Sequence, residues 1–122
     1  MQEVGACPQI LHNPGMTDAL VVLCTCPDEA VARGIANALL AAELAACVNC
    51  LPGIRSWYRW DGQIREDAEV LLVIKTRQDR YAALEALVTA RHPYDVPEII
   101  ALPVVAGAAS YLNWITQATS GA

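Results

Sequence analysis

Asp61-Gly62 falls between two long runs of strand-forming sequence, 47–60 before it and 63–76 after it. Asp-Gly is the strongest two-residue hairpin signal, because both residues tolerate the positive φ of a type I′ turn, whose twist matches the flanking strands. Arms of about 13 residues would each reach roughly 40 Å at ~3.3 Å per residue, longer than the usual strand of ~3–10 residues. Such arms overshoot the core of a small domain, and the tip of this hairpin carries Trp57, Tyr58 and Trp60. Those rings need cover, and a partner subunit is the natural source. Pro52-Gly53 interrupts the first arm and reads as a bulge or bend, since proline cannot donate to a ladder.

The rest of the chain supplies elements on either side of this hairpin. The run from Ala19 to Cys24 is short and apolar on both faces, as a central strand requires. Pro27 suits a first helical turn, and Asp28 and Glu29 complement the positive end of a helix dipole. Val31, Ile35, Leu39 and Ala42 then recur at helical spacing, which predicts an amphipathic helix over 28–45. Tyr81, Leu84, Leu87, Val88 and Arg91 follow helical spacing and predict a second helix over 77–91, which ends at His92 because the residue before Pro93 avoids the α region. A strand follows over 98–105, with Pro103 marking an edge or a bulge, and a short helix over 109–118 presents Tyr111, Trp114 and Ile115.

The order β-α-β-β-α-β-α contains two crossovers that must be right-handed. Pairing them compactly with a central hairpin gives an α+β, ferredoxin-like βαββαβ fold with a four-stranded antiparallel sheet, both main helices on one face, and an added C-terminal helix. The other sheet face would expose Val, Leu and Ile, so packing between subunits is the physical remedy. A length of 122 residues allows one domain, and 55% hydrophobic against 17% charged residues supports a real core. The expected organisation is a flexible extension over 1–18, one domain over 19–118 and a tail over 119–122.

A net charge of −5 argues against duplex nucleic acid and anionic membranes as partners and makes cations the better-matched ligands. The aromatic residues lack the basic companions of single-strand binders, so interface packing is their expected use. No apolar stretch approaches the ~18 residues of a membrane span, and residues 1–18 contain no signal-peptide core. The expected compartment is cytoplasmic, where the five cysteines stay reduced.

Cys24-Thr25-Cys26 and Cys47-Val48-Asn49-Cys50 give the C-x-C and C-x-x-C spacings of soft-metal ligands. Strand alternation points Cys47 and Cys50 to opposite faces unless a bulge intervenes, and Cys24 and Cys26 converge only if their strand continues to Pro27. The competing reading is buried, reduced cysteines that fill small core spaces. Cys26 precedes a helix and is the more reactive thiol by position, but no second cysteine follows it at redox spacing. His92, Tyr94 and Glu98 are a candidate acid/base cluster, against which stands a simple helix-capping role for the histidine. Lys75 and Glu98 are candidates to face a shared cleft. With no P-loop, G-x-S-x-G or dinucleotide fingerprint, the sequence carries no positive case for an enzyme.

Several strings then stand in a familiar order: Leu23-Cys24-Thr25 with Pro27-Asp28-Glu29, Leu44-Ala45-Ala46-Cys47-Val48-Asn49, Trp57-Tyr58-Arg59-Trp60 with Gly62, Lys75-Thr76, His92-Pro93-Tyr94 with Pro97-Glu98, and Tyr111-Leu112-Asn113-Trp114. Over about residues 19–118 the chain resembles the CutA family of divalent-cation tolerance proteins. The resemblance implies a PII-like homotrimer with interlocking hairpins, cytosolic residence, and binding of copper or another divalent ion. Carried over residue by residue, the family's proposed metal ligands fall on Cys24, Arg91 and His92. Arginine keeps its proton and offers no lone pair to a metal, which leaves Cys24 and His92. The resemblance also implies a polar crevice at subunit boundaries, here carrying Lys75, Tyr94, Glu98 and Trp60. The alternative role is that of a PII-like signalling or scaffold trimer, which takes a small ligand or an unidentified protein partner in that crevice.

Overall fold

Asp61 and Gly62 both adopt positive φ, 55° and 76°, and close the hairpin whose arms are β2 (Cys47–Trp60) and β3 (Gln63–Arg77). These come from a computed structural model, which describes residues 17–121. The pairing runs from Trp60 opposite Gln63 back to Cys47 opposite Lys75. It is interrupted once, between Leu51 and Ile54, where Gly53 takes φ 77° and the expected bulge forms. β1 (Ala19–Cys26) pairs antiparallel with β3 along its whole length, and β4 (Ile100–Pro103) pairs with the other side of β1. The strand order is β2-β3-β1-β4, as the ferredoxin-like reading requires. α1 (Glu29–Ala41) and α2 (Tyr81–Arg91) separate the strands, a short 3-10 turn at Gln78–Arg80 leads into α2, and α3 (Ala109–Ala118) closes the order.

Alternation along β1 and β3 decides what is buried. Leu20, Val22, Cys24 and Cys26 on β1, with Val70, Leu72 and Ile74 on β3, face Ile35 and Leu39 of α1 and Leu84 and Val88 of α2 in one core cluster. Thr76 belongs to the same buried face and donates its hydroxyl to the Leu44 carbonyl at 2.7 Å, so its polar atom is satisfied. The intervening residues Val21, Leu23, Leu71 and Val73 are only half-buried. Beside them Leu51, Ile100 and Leu102 are 44%, 51% and 49% exposed, so the bare apolar face expected opposite the helices is present. No helix among the described residues is long and apolar enough to cross a membrane.

Four expectations need correction. Asp28 caps α1 by accepting from the Val31 amide at 2.9 Å, which places Pro27 before the helix and outside its first turn. α1 ends at Ala41, short of 45, in a Schellman motif: the Glu43 amide donates to Leu40 at 3.1 Å and the Leu44 amide to Leu39 at 3.0 Å. Glu43 takes φ 57° where glycine is usual, and without that glycine the sequence carries no stop signal. β4 covers 100–103 and is shorter than the expected 98–105, because Pro97 and Pro103 lack the amides that would extend the ladder on an edge strand. Of the apolar face expected on α3, only Ile115 is buried, whereas Tyr111 and Trp114 are exposed and stack on each other at 5.5 Å.

The expected extension, residues 1–18, lies outside the described residues apart from its last two, and so does Cys7. Thr17 is tied to the main body by donating both its amide, at 3.2 Å, and its hydroxyl, at 2.7 Å, to the Val104 carbonyl. At the other end Thr119 is buried and accepts at its carbonyl from Arg77 and Arg80, at 3.0 and 2.8 Å. The core predicts its own test. Ile35→Ala empties a fully buried site between α1 and the sheet and is expected to cost about 2–5 kcal/mol in urea unfolding. An unchanged midpoint would mean that α1 contributes little to the core.

Candidate functional site

Because β1 runs on to Cys26, the i, i+2 rule turns the Cys24 and Cys26 thiols to the same buried face. α2 ends at Arg91, and His92 turns to an extended conformation, φ −80° and ψ 137°, before Pro93. That turn carries the His92 ring onto the end of β1. The two sulfurs and a ring nitrogen of His92 then lie within 4.8 Å of one another, all three residues buried. Arg91 is exposed.

Both nitrogens of His92 are engaged. Nε2 donates to the Thr25 carbonyl at 2.7 Å, and Nδ1 accepts from the Tyr94 amide at 3.2 Å, an arrangement that selects the neutral tautomer protonated at Nε2. The two thiols differ in acidity. The hydrogen bond to Cys26, together with burial, pushes the Cys24 thiol well up, while the same bond from Cys24 draws the Cys26 thiol down. Cys26 is thus the thiol that ionises more readily in a pair of soft donors beside an imidazole, the chemistry that favours Cu(I) or Zn(II) over hard ions. Cys26 was visible in the C-x-C spacing, but its place beside His92 depended on a strand two residues longer than the apolar run suggests. Cys47 pairs with Lys75 and Cys50 with Leu72, so the C-x-x-C thiols point to opposite sheet faces and do not converge.

On the other face of the sheet, a cavity of about 670 Å³ opens where the hairpin overshoots the core. The hairpin contributes Trp57, Tyr58, Trp60 and Arg65, and the chain after α2 contributes Tyr94, Asp95 and Glu98. Thr25 and Glu69 line it from β1 and β3. The Tyr94 hydroxyl donates to Glu69 Oε2 at 2.7 Å, and its ring packs on His92 with centroids 4.7 Å apart. Burial, reinforced by the Glu69 carboxylate, holds the Tyr94 phenol protonated far above its ordinary range, so it keeps the proton that it donates to Glu69.

Of the four crevice residues expected from the sequence, Trp60, Tyr94 and Glu98 meet in this cavity. Lys75 does not. It shares the sheet face but lies six residues beyond Glu69 along β3, roughly 20 Å at ~3.3 Å per residue, and donates to Asn49. The expected cluster of His92, Tyr94 and Glu98 is likewise rearranged, because Tyr94 bridges His92 to Glu69, with Glu98 on the cavity wall. Glu69 carries no local mark in the sequence; its hydrogen-bond partner Tyr94 is 25 residues away.

Comparison with known proteins gives one consistent family. The model of the CutA1 divalent ion tolerance protein family matches residues 20–118. The divalent-cation tolerance protein CutA of Thermus thermophilus is 52% identical over 99 residues, covering 81% of this chain and 96% of that protein. The mouse protein CutA is 50% identical over 108 residues, which cover 88% of this chain but 60% of the longer mouse sequence. A solved structure of the divalent cation tolerance protein Cut A1 from Thermus thermophilus superposes with a TM-score of 0.82 at 50% identity, covering 84% of this chain and 99% of that one. With the fold, the strand order and the sequence in agreement, this chain belongs to the CutA1 divalent ion tolerance family.

Proposed function

We propose that the chain acts in divalent-cation tolerance, above all to copper, by holding metal ions as a non-catalytic homotrimer in the cytoplasm. The observation that carries this reading is the convergence of Cys24, Cys26 and His92 within 4.8 Å. Two sulfurs and one imidazole suit copper or another thiophilic ion, and the donors fit that chemistry without Arg91. Cys26 is the easier thiol to deprotonate, and His92 supplies a ring nitrogen once it releases one of its two present partners. A reducing cytoplasm keeps the thiols available.

The bare sheet face and the overhanging hairpin support the trimer. Leu51, Ile100 and Leu102 on the face, and Ile64 on the hairpin, are large apolar residues left to solvent in a single chain. The cavity between the hairpin and the 93–98 segment favours a second reading, that of a PII-like scaffold that takes a small ligand or a protein partner there and influences metal tolerance indirectly.

An anaerobic competition titration of the reduced protein with Cu(I), in parallel with Cu(II) and Zn(II), separates the two readings. Metal binding predicts saturable uptake near one ion per chain that weakens at least about tenfold in Cys24→Ser and in Cys26→Ser, the loss of one charged soft donor. Weak uptake unchanged by either substitution would refute it and leave the scaffold reading. For the trimer, deletion of the outer hairpin residues 58–59 and 64–65 is expected to give monomers by light scattering. A shortened protein that remains trimeric would show that the hairpin does not hold the assembly.

A further inference from the structure

We infer that the cavity under the hairpin is a binding site for a small, weakly hydrated organic ammonium ion. This rests on the second reading above, which it deepens by naming the ligand class. The central observation is Glu69. Its side chain lies in the cavity lining at 8% exposure, yet among the described residues no lysine, arginine or histidine lies within ion-pair distance of it. One oxygen, Oε2, accepts from the neutral Tyr94 phenol, and Oε1 has no protein donor among the described residues. No buried side-chain oxygen among the described residues lacks a partner, so the free Oε1 opens to the cavity, where a carboxylate with little water around it gains from a partner of opposite charge. The cavity it faces is the place from which such a partner can come.

The surroundings decide what kind of cation. Glu98 and Asp95 add two more carboxylates to the lining against the single guanidinium of Arg65, so the site is net negative. Trp57, Tyr58, Trp60 and Tyr94 supply the rest of the wall. Indole and phenol faces attract cations through the ring quadrupole, but only cations that give up their water readily gain from the contact. A hard divalent ion asks instead for six or more oxygen ligands or retained waters, which four aromatic side chains cannot provide. An alkylammonium combines one charge for Glu69 with methyl or methylene groups for the indoles. The volume of about 670 Å³ accommodates such a molecule with room to spare.

The aromatic wall also provides the readout, since Trp57 and Trp60 line the cavity whereas Trp114 lies on α3 and gives a constant background. The full-length protein, in its native assembly, is titrated with tetramethylammonium chloride and followed by tryptophan fluorescence. Magnesium chloride and sodium acetate are titrated in parallel at matched ionic strength. The expected result is a saturable change with tetramethylammonium alone, weakened at least about tenfold in Glu69→Gln, which keeps the shape and the acceptor for Tyr94 but removes the charge. Glu98→Gln, at an exposed position where folding is not at risk, is expected to weaken binding in the same direction. Saturation by acetate but not by tetramethylammonium would overturn the ammonium assignment while leaving a ligand site in the cavity. Saturation by magnesium alone would overturn it in favour of a hard-cation site, and no saturable response to any of the three would overturn the ammonium assignment while leaving the cleft to a ligand of another class or to a protein.

Discussion

The register between β1 and β3 is the constraint from which both candidate sites follow. β1 pairs with β3 from Ala19 opposite Arg77 to Cys26 opposite Val70, and side chains alternate between the two faces along that ladder. The parity sends Cys24 and Cys26 under the helices and leaves Thr25 on the open face, where it lines the cavity. A slip of one residue would exchange the two sets and expose the thiols. Burial of Leu20, Val22, Leu72 and Ile74 against α1 and α2 prevents that slip, so the packing of an ordinary core fixes the chemistry of both faces.

The two sites stand back to back across the end of β1 and are joined by residues 92–94. His92 reaches the thiol side, holds the Thr25 carbonyl and accepts from the Tyr94 amide. Tyr94 continues to Glu69 on the cavity side. The His-Pro step that ends α2 is what sets this path, since it turns the chain out of the helix just where the ring can meet β1.

Much of this was legible in the sequence, and the limits have physical causes. Asp61-Gly62 fixed the hairpin and Pro52-Gly53 its bulge, because both depend on backbone conformations that few residues adopt. The end of α1 was not legible, because Glu43 occupies a left-handed position usually marked by glycine. Cys24 and His92 came together only through the family resemblance, and they do converge, while strand parity foretold that Cys47 and Cys50 diverge. Glu69 and the displacement of Lys75 were not legible, since both depend on how far along a long strand a loop from elsewhere lands. Local signals report local geometry, and the cavity is built from contacts distant in sequence.

The substitution at residue 91 shifts the balance of donors. With an exposed arginine there, the donors that converge are two sulfurs and one nitrogen, a softer set than one sulfur with two imidazoles. The difference in acidity between Cys24 and Cys26 matters for the same reason. A metal held by both sulfurs must displace a proton from each, against the raised Cys24 thiol above all, so an ion that bonds sulfur strongly is favoured over one that prefers oxygen or nitrogen. In the proposed site the neighbouring thiol stands where the family resemblance implies a second histidine, and it stands on the buried face, away from the acidic and aromatic cavity.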